Sequence, residues 1–324
     1  MHFDHDIYYG KIIKGDLHGA INYVKQFPEH ASLYDRFMDV FENERYITSD
    51  LDPELNDILL AYHRYYRDVF YLRMEKEQAE NLLRDRLAAL LDMGRDAELG
   101  NLEQNVFAGL FQSHGLHFLG GKTGGYYGPY IWRSTETVTY EVELPHGVQT
   151  YAVKLLDGFL ARSWIDFLSF GEIGTGGWTD GDGFINCVKS AWDFESEHFQ
   201  VSLLKHEAQH AADLAKYQDL SSETLEYRAK LVELIYSRER NLLPGFAKEA
   251  DPSDAANGHA LAAYRITQGF AAALGVTAID PTSIPISTIQ TIAKQLFDES
   301  ERALLQERKH ADPRDHSTRP DPNQ

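Results

Sequence analysis

Apolar residues recur at helical spacing through the first third of the chain. Residues 17–27 and 31–44 read as short amphipathic helices. Asp52-Pro53 marks a helix start, since proline suits a first helical turn. From there to about Met93 the apolar positions, among them Leu59, Tyr62, Val69, Leu72, Leu83, Leu87 and Leu91, keep that spacing among many charges. A further helix is predicted over 101–112. Beyond Ser113 the texture changes. Residues 114–132 hold six glycines and Pro129, the mark of tight turns. Val138, Tyr140, Val142 and Leu144 then alternate with polar residues, and 148–156 alternates again after Pro145-His146-Gly147. That pattern predicts a hairpin of strands 136–144 and 148–156. Residues 159–170 are apolar and fit either a strand or a helix. A second glycine-rich stretch covers 174–183. Helical spacing resumes over 194–216 and is predicted again over 222–240, 254–275 and 286–308. The tail from 310, polar and proline-containing, is expected to be disordered.

The order is helices, a small β section, then helices. It predicts a mostly helical α+β fold and not the regular alternation of a doubly wound sheet. The expected division is a helical N-terminal region over 1–113, a second domain over 114–309 and the tail over 310–324.

Composition narrows the classes. The chain has 324 residues, enough for one large or two modest cores. Its formal net charge of -19 argues against nucleic acid as a partner, because phosphate contacts need clustered Lys and Arg. No run of 18 apolar residues suggests a membrane span. The acidic N-terminus lacks the basic and apolar regions of a signal peptide, so a cytoplasmic location is expected. The single cysteine, Cys187, rules out an internal disulfide and any multi-cysteine metal site, and reads as a small buried residue.

One motif carries chemistry. His206-Glu207-Ala208-Gln209-His210 matches H-E-x-x-H, a pattern expected by chance about 0.04 times in a chain of this composition. Helical residues four apart lie about 40° apart around the axis, so both imidazoles can grip one ion from the same side. Neutral imidazole nitrogen suits zinc, and a catalytic zinc site keeps one position for water. Glu207, one residue after the first histidine, can take a proton from that water. The flanking Phe199, Val201, Leu203, Leu204, Ala208, Ala211 and Ala212 imply a buried helix. A third ligand is sought on the next helix, where Glu223, Glu226 and Glu233 are candidates. Glu223 also suits capping of the first turn. Asp213 reads either as a second-layer acceptor for a ligand histidine or as a solvated charge.

This arrangement resembles the gluzincin class of zinc metallopeptidases, in which H-E-x-x-H is followed by a ligating glutamate on a downstream helix. Glu226-Tyr227-Arg228-Ala229 fits the E-x-x-A form of that element. The resemblance covers roughly residues 170–240. It implies a zincin-like core, His206, His210 and Glu226 as ligands of one zinc ion per chain, Glu207 as general base, and a peptide or protein substrate. It also implies an edge strand before the motif helix, for which residues 170–178 are the candidate, and an oxyanion-stabilising Tyr or His downstream. Tyr236, His259 and Tyr264 are available, and Tyr264 is taken as the candidate catalytic partner. The thermolysin-like branch carries an Asp where this chain has Lys230. The metzincin extension fails at Asp213 and Lys216. Hydrolysis of a non-peptide bond by the same chemistry, and a non-catalytic zinc-stabilised binding or regulatory module, stand as alternatives.

Other signals fail. Gly120-Gly121-Lys122-Thr123 lacks the first glycine of a phosphate loop, because position 116 is Leu116. Asp180-Gly181-Asp182-Gly183 starts like a calcium loop but has Ile185 at its sixth position and Ala191 at its twelfth. His114, His117 and His146 are scattered.

Overall fold

The computed structural model describes residues 2–46, 51–91, 98–179, 183–217, 219–255 and 257–311. The tail beyond 311 and the Asp180–Asp182 segment of the rejected calcium loop lie outside them. The chain forms two compact units, Met1–Glu136 with Leu156–Thr175, and Thr137–Leu155 with Gly176–Gln324. The fold is mostly helical with small sheets, an α+β architecture. Among the described residues no helix is long and apolar enough to cross a membrane.

The first unit is built on α1 (His5–Ile13), α2 (Leu17–Val24), α3 (Ala31–Phe37), α4 (Pro53–Tyr66), α5 (Lys76–Leu90), α6 (Leu99–Asn101) and α7 (Ala108–Ser113). Local chemistry sets several of the starts. The Asp4 carboxylate accepts from the Asp6 amide at the head of α1, the Asp16 carboxylate accepts from the Gly19 amide in α2, and Pro53 opens α4. The helix expected from 52 to 93 is two helices. α4 runs into a π-helical turn, Arg67–Tyr71, and the chain reverses at Arg73, whose φ is 53°. The Met74 amide closes that turn on the Asp68 carbonyl. No glycine or proline marks the break, so apolar spacing alone ran through it.

Residues 114–132 contain turns, as their glycines imply, and also four short strands. These are β1 (His117–Leu119), β2 (Lys122–Thr123), β3 (Tyr126–Tyr127) and β4 (Tyr130–Trp132). β2 and β3 pair across Gly124-Gly125, whose φ values of 56° and 83° suit glycine. These residues, assigned from the sequence to the second domain, cluster with the first unit. Phe118 on β1 packs its ring 5.0 Å from Phe111 and 5.9 Å from Phe107. The hairpin of β5 (Ser134–Leu144) and β6 (Gly147–Asp157) forms where it was expected. The ambiguous stretch 159–170 resolves into β7 (Ala161–Arg162), which pairs with β4, and α8 (Ser163–Leu168). The core of the first unit is strongly aromatic, with Tyr62, Tyr65, Phe37, Phe41, Phe107 and Phe111 all buried.

The second unit contains most of the β5–β6 hairpin, with β8 (Gly177–Thr179), β9 (Ile185–Val188), α9 (His206–Lys216), α10 (Ser222–Tyr236), α11 (Leu242–Glu249), α12 (Gly258–Leu274) and α13 (Ile286–Ala311). β9 and α11 were not predicted, and β8 was anticipated only as the end of an edge strand over 170–178. The four-stranded sheet has the order β5-β6-β9-β8, so β8 ends it, with α9 packed beside it. Gly177 on β8 is close-packed, since a Cβ there would lie 2.5 Å from Leu203 Cδ1 and 2.7 Å from the Asn186 carbonyl. Its glycine therefore serves packing within the chain. Phe199, Leu203, Leu204 and Ala208 bury one side of the motif helix with Cys187, Leu231, Ala262 and Phe270. Each large apolar side chain so buried contributes about 1.5–3 kcal/mol.

Candidate metal centre

α9 begins in an unusual way. Residues Phe199–Lys205 form a π-helical stretch that runs directly into His206. Such wide turns are rare and often accompany functional sites. His206 and His210, one α-turn apart, bring their Nε2 atoms to 3.0 Å from each other.

α10 supplies the carboxylates. The Ser221 hydroxyl caps it by accepting from the Thr224 amide. Glu226 and Glu233 are seven residues apart, hence within about 20° of one another around the helix. The two play different parts. Glu226 approaches the Nε2 atoms, with its Oε2 3.4 Å from His206 and its Oε1 3.5 Å from His210. Glu233 lies on the opposite side of the first imidazole, where its Oε1 accepts from His206 Nδ1 at 2.7 Å. Glu223 is turned away and accepts from Arg265 at 3.1 Å. Of the three candidates for third ligand, the structure groups Glu226 alone with His206 and His210.

A glycine places one more residue. A Cβ on Gly258 would lie 2.2 Å from Ser222 Oγ and 3.0 Å from the Ser222 carbonyl carbon. Only glycine lets the start of α12 approach the start of α10 this closely. The next residue, His259, brings Nδ1 to 2.9 Å from Glu226 Oε2, without the alignment of a hydrogen bond. Tyr264 is five residues further along α12, about 140° around its axis. It is 38% exposed, and its main-chain carbonyl accepts from Thr267. The Tyr236 ring lies beneath Lys205 Nζ at 4.1 Å. Of the three residues named for oxyanion stabilisation, His259 is the one that contacts the cluster.

Glu207 is buried, and Thr179 at the end of β8 holds it. Thr179 Oγ1 lies 2.8 Å from Glu207 Oε2 and 2.9 Å from the Glu207 carbonyl. The edge strand therefore reaches the carboxylate through its own last residue, a link the sequence did not signal. Of the segment 170–178 proposed for that strand, only Gly177 and Trp178 belong to it. Phe170 sits in a left-handed turn with φ 57°.

The electrostatics of the cluster follow from its composition. Burial alone would lower the pKa of His206. The adjacent Glu226 carboxylate and the hydrogen bond to Glu233 outweigh that and lift it to about 10. Burial would raise the Glu226 carboxyl, yet its contacts with His206, His210 and His259 hold it far below the usual range. Among the described residues, two buried polar atoms here, His210 Nδ1 and Glu226 Oε2, complete no hydrogen bond.

The donor set fits a tetrahedral ion. Ligand atoms bound at about 2.0–2.1 Å in such a shell stand roughly 3.3 Å apart, and the Nε2 and carboxylate spacings here are 3.0, 3.4 and 3.5 Å. The Glu233 carboxylate accepts the Nδ1–H of His206, so Nε2 is the nitrogen that would ligate an ion displacing its proton, the usual support for a metal-binding histidine. Asp213 does not supply such support. It is 1% exposed and takes a two-pronged contact from Arg228, at 2.7 and 2.9 Å. Lys230, where thermolysin-like enzymes carry an Asp, donates to Glu249 at 2.7 Å. Cys187 is fully buried, and burial pushes its thiol pKa up to about 12. No protein-family model, curated protein or solved structure matches the chain in comparison with known proteins.

Proposed function

We propose that the chain is a zinc-dependent metallopeptidase of gluzincin type, with His206, His210 and Glu226 as ligands and Glu207 as general base. The observation that carries this reading is the convergence of two imidazole Nε2 atoms and one carboxylate at 3.0–3.5 Å, with Glu233 orienting His206 from behind. Zinc held there supplies a Lewis acid and brings the pKa of water toward neutrality. Glu207 accepts the water's proton on Oε1, while Thr179 holds Oε2 and keeps the carboxylate aimed. The same carboxyl then delivers that proton to the departing amine. His259 stands beside Glu226 on the exposed side of the cluster, with its side chain 55% accessible, and is the donor available to a developing oxyanion. β8 offers the end of a sheet on which an extended peptide can lie as a further strand.

Hydrolysis of another acyl bond would use the same groups. A panel of matched peptide, amide and ester substrates separates the two. Peptide turnover that disappears on zinc removal and returns on zinc addition supports the peptidase reading. Turnover restricted to esters would move the assignment to a different hydrolase.

A further inference from the structure

The first unit contains a cavity of about 260 Å³ that the zinc site does not use. Its walls are largely aromatic, with Tyr62, Tyr66, Phe167 and Phe170 among them. His63 also lines it and stacks on Phe167, with ring centroids 4.3 Å apart and 20° between the planes. Three lining residues carry buried polar atoms that complete no hydrogen bond among the described residues: the Tyr46 hydroxyl, Nδ1 of His63 and Oγ of Ser163. Ser163 is 3% exposed and has the Tyr130 hydroxyl as a polar neighbour, but the pair does not reach hydrogen-bond geometry. Buried polar groups are normally satisfied, so three unsatisfied ones around a single cavity call for an explanation.

Backbone strain gathers at the same place. Ser163 and Phe170 hold φ values of 63° and 57°, in the left-handed region that favours glycine. Ser163 stands where β7 gives way to α8. Gly128 leaves room for it, since a Cβ there would lie 2.5 Å from Ser163 Oγ and 2.6 Å from the Tyr66 hydroxyl. Strain of this kind persists where the surroundings enforce it, and it concentrates at ligand sites.

Charge selects the ligand. Asp166 lines the cavity but is paired with Arg162, at 2.6 and 3.0 Å. Burial brings the pKa of His63 down to about 4, so the ring is neutral. Arg36 lies at the rim with its guanidinium 4.3 Å above the Phe170 ring. Among the described residues it has no carboxylate partner. The lining thus carries one uncompensated positive charge, which disfavours a cationic guest in spite of the aromatic walls. The volume falls just below the range of about 300–1,000 Å³ typical of ligand sites, a size for one ring with short substituents and too small for a nucleotide.

We propose that this cavity binds a small aromatic carboxylate. The ring packs among Tyr62, Tyr66 and Phe167, the carboxylate pairs with Arg36, and a polar ring substituent meets Tyr46, His63 and Ser163. This proposal is independent of the zinc reading.

The test uses the full chain, titrated calorimetrically with 4-hydroxybenzoate and 4-hydroxyphenylacetate and, for comparison, with the amide of each. One saturable site per chain is expected for at least one acid, with its amide at least tenfold weaker. Arg36→Gln, at an exposed position, is expected to weaken the acid at least tenfold and leave the amide unchanged. Tyr46→Phe and His63→Phe keep the rings and are expected to weaken acid and amide alike. Absence of saturable binding by both acids overturns the proposal. So does equal binding of acid and amide, or binding that all three variants leave intact.

Discussion

Two buried polar clusters lie on the same pair of helices, α9 and α10, and they are built differently. One joins Asp213 on α9, Arg228 on α10 and Glu301 on α13, with Lys216 and the Tyr217 hydroxyl completing it. Two carboxylates meet two cations there, and the Arg228 fork is matched oxygen for nitrogen. The other joins His206 and His210 to Glu226 and Glu233, with Glu207 beside them. Neither arginine nor lysine enters it among these contacts, and it retains two polar atoms without hydrogen bonds. The first cluster is closed by the protein's own charges. The second gathers two imidazole Nε2 atoms and the Glu226 carboxylate within 3.0–3.5 Å of one another, an arrangement that a bound cation would complete. Similar residue types on one scaffold thus separate into a structural lock and a site with remaining valence.

This contrast orders the experiments. The largest effect is expected from Glu207→Gln, which preserves shape and removes the base. Peptide turnover should fall by about 10²–10⁴-fold, as for loss of a general base, with zinc content unchanged. Unimpaired hydrolysis by this variant would exclude Glu207 from the chemistry. Arg228→Met attacks the closed cluster instead and strands Asp213 and Glu301 without their shared cation. Removing one partner of a buried pair costs about 3–5 kcal/mol, to be read from denaturant unfolding. A loss below about 1 kcal/mol would show that the network is not a lock.

Glu233→Gln should weaken zinc binding about 10–100-fold, the usual effect of losing a histidine's supporting carboxylate, measured by competition with a chelator. It should leave unfolding of the zinc-free protein far less changed than Arg228→Met does. A further effect is one of pH. In the zinc-free protein the pKa of His206 is raised from 6.5 to about 10. Its contribution to stability is then complete below about 6.5 and is lost as pH rises through about 10. Zinc competes with that proton, so the loaded protein should not share the decline. Glu301 works in the opposite direction. Burial would raise its carboxyl, but contacts with Lys216, Tyr217 and Arg228 hold it at about 2. Its contribution is present above the ordinary carboxylate value of 4.5 and disappears as pH falls through about 2. Melting temperatures of both forms across this range test both signs.

The parts of this picture that were legible in the sequence were those set by local spacing. H-E-x-x-H needs only one helical turn, and Glu226 and Glu233 need only one helix, so all of them could be named in advance. Spacing alone does not choose between the two glutamates, because the choice depends on which edge of the His206 ring faces α10; only the gluzincin resemblance singled out Glu226. Asp213 was misjudged for a similar reason, since its partner Arg228 is fifteen residues away on another helix. The contacts of Thr179 and His259 depend on tertiary approach. Only in the structure does Gly258 explain why His259 arrives at Glu226. The fold shows the same division. The β5–β6 hairpin was legible from strict alternation, whereas the break at Arg73 and the strands β8 and β9 lie in stretches where neither periodicity nor glycine content identifies the element.

The most direct test is the metal content of the wild-type protein, purified without added metal and measured by elemental mass spectrometry. The account expects close to one zinc per chain, and loss of that zinc in His206→Ala. Absence of bound metal, persisting after zinc is supplied and the excess removed, would contradict it and leave the second cluster as two histidines neutralised by their own carboxylates.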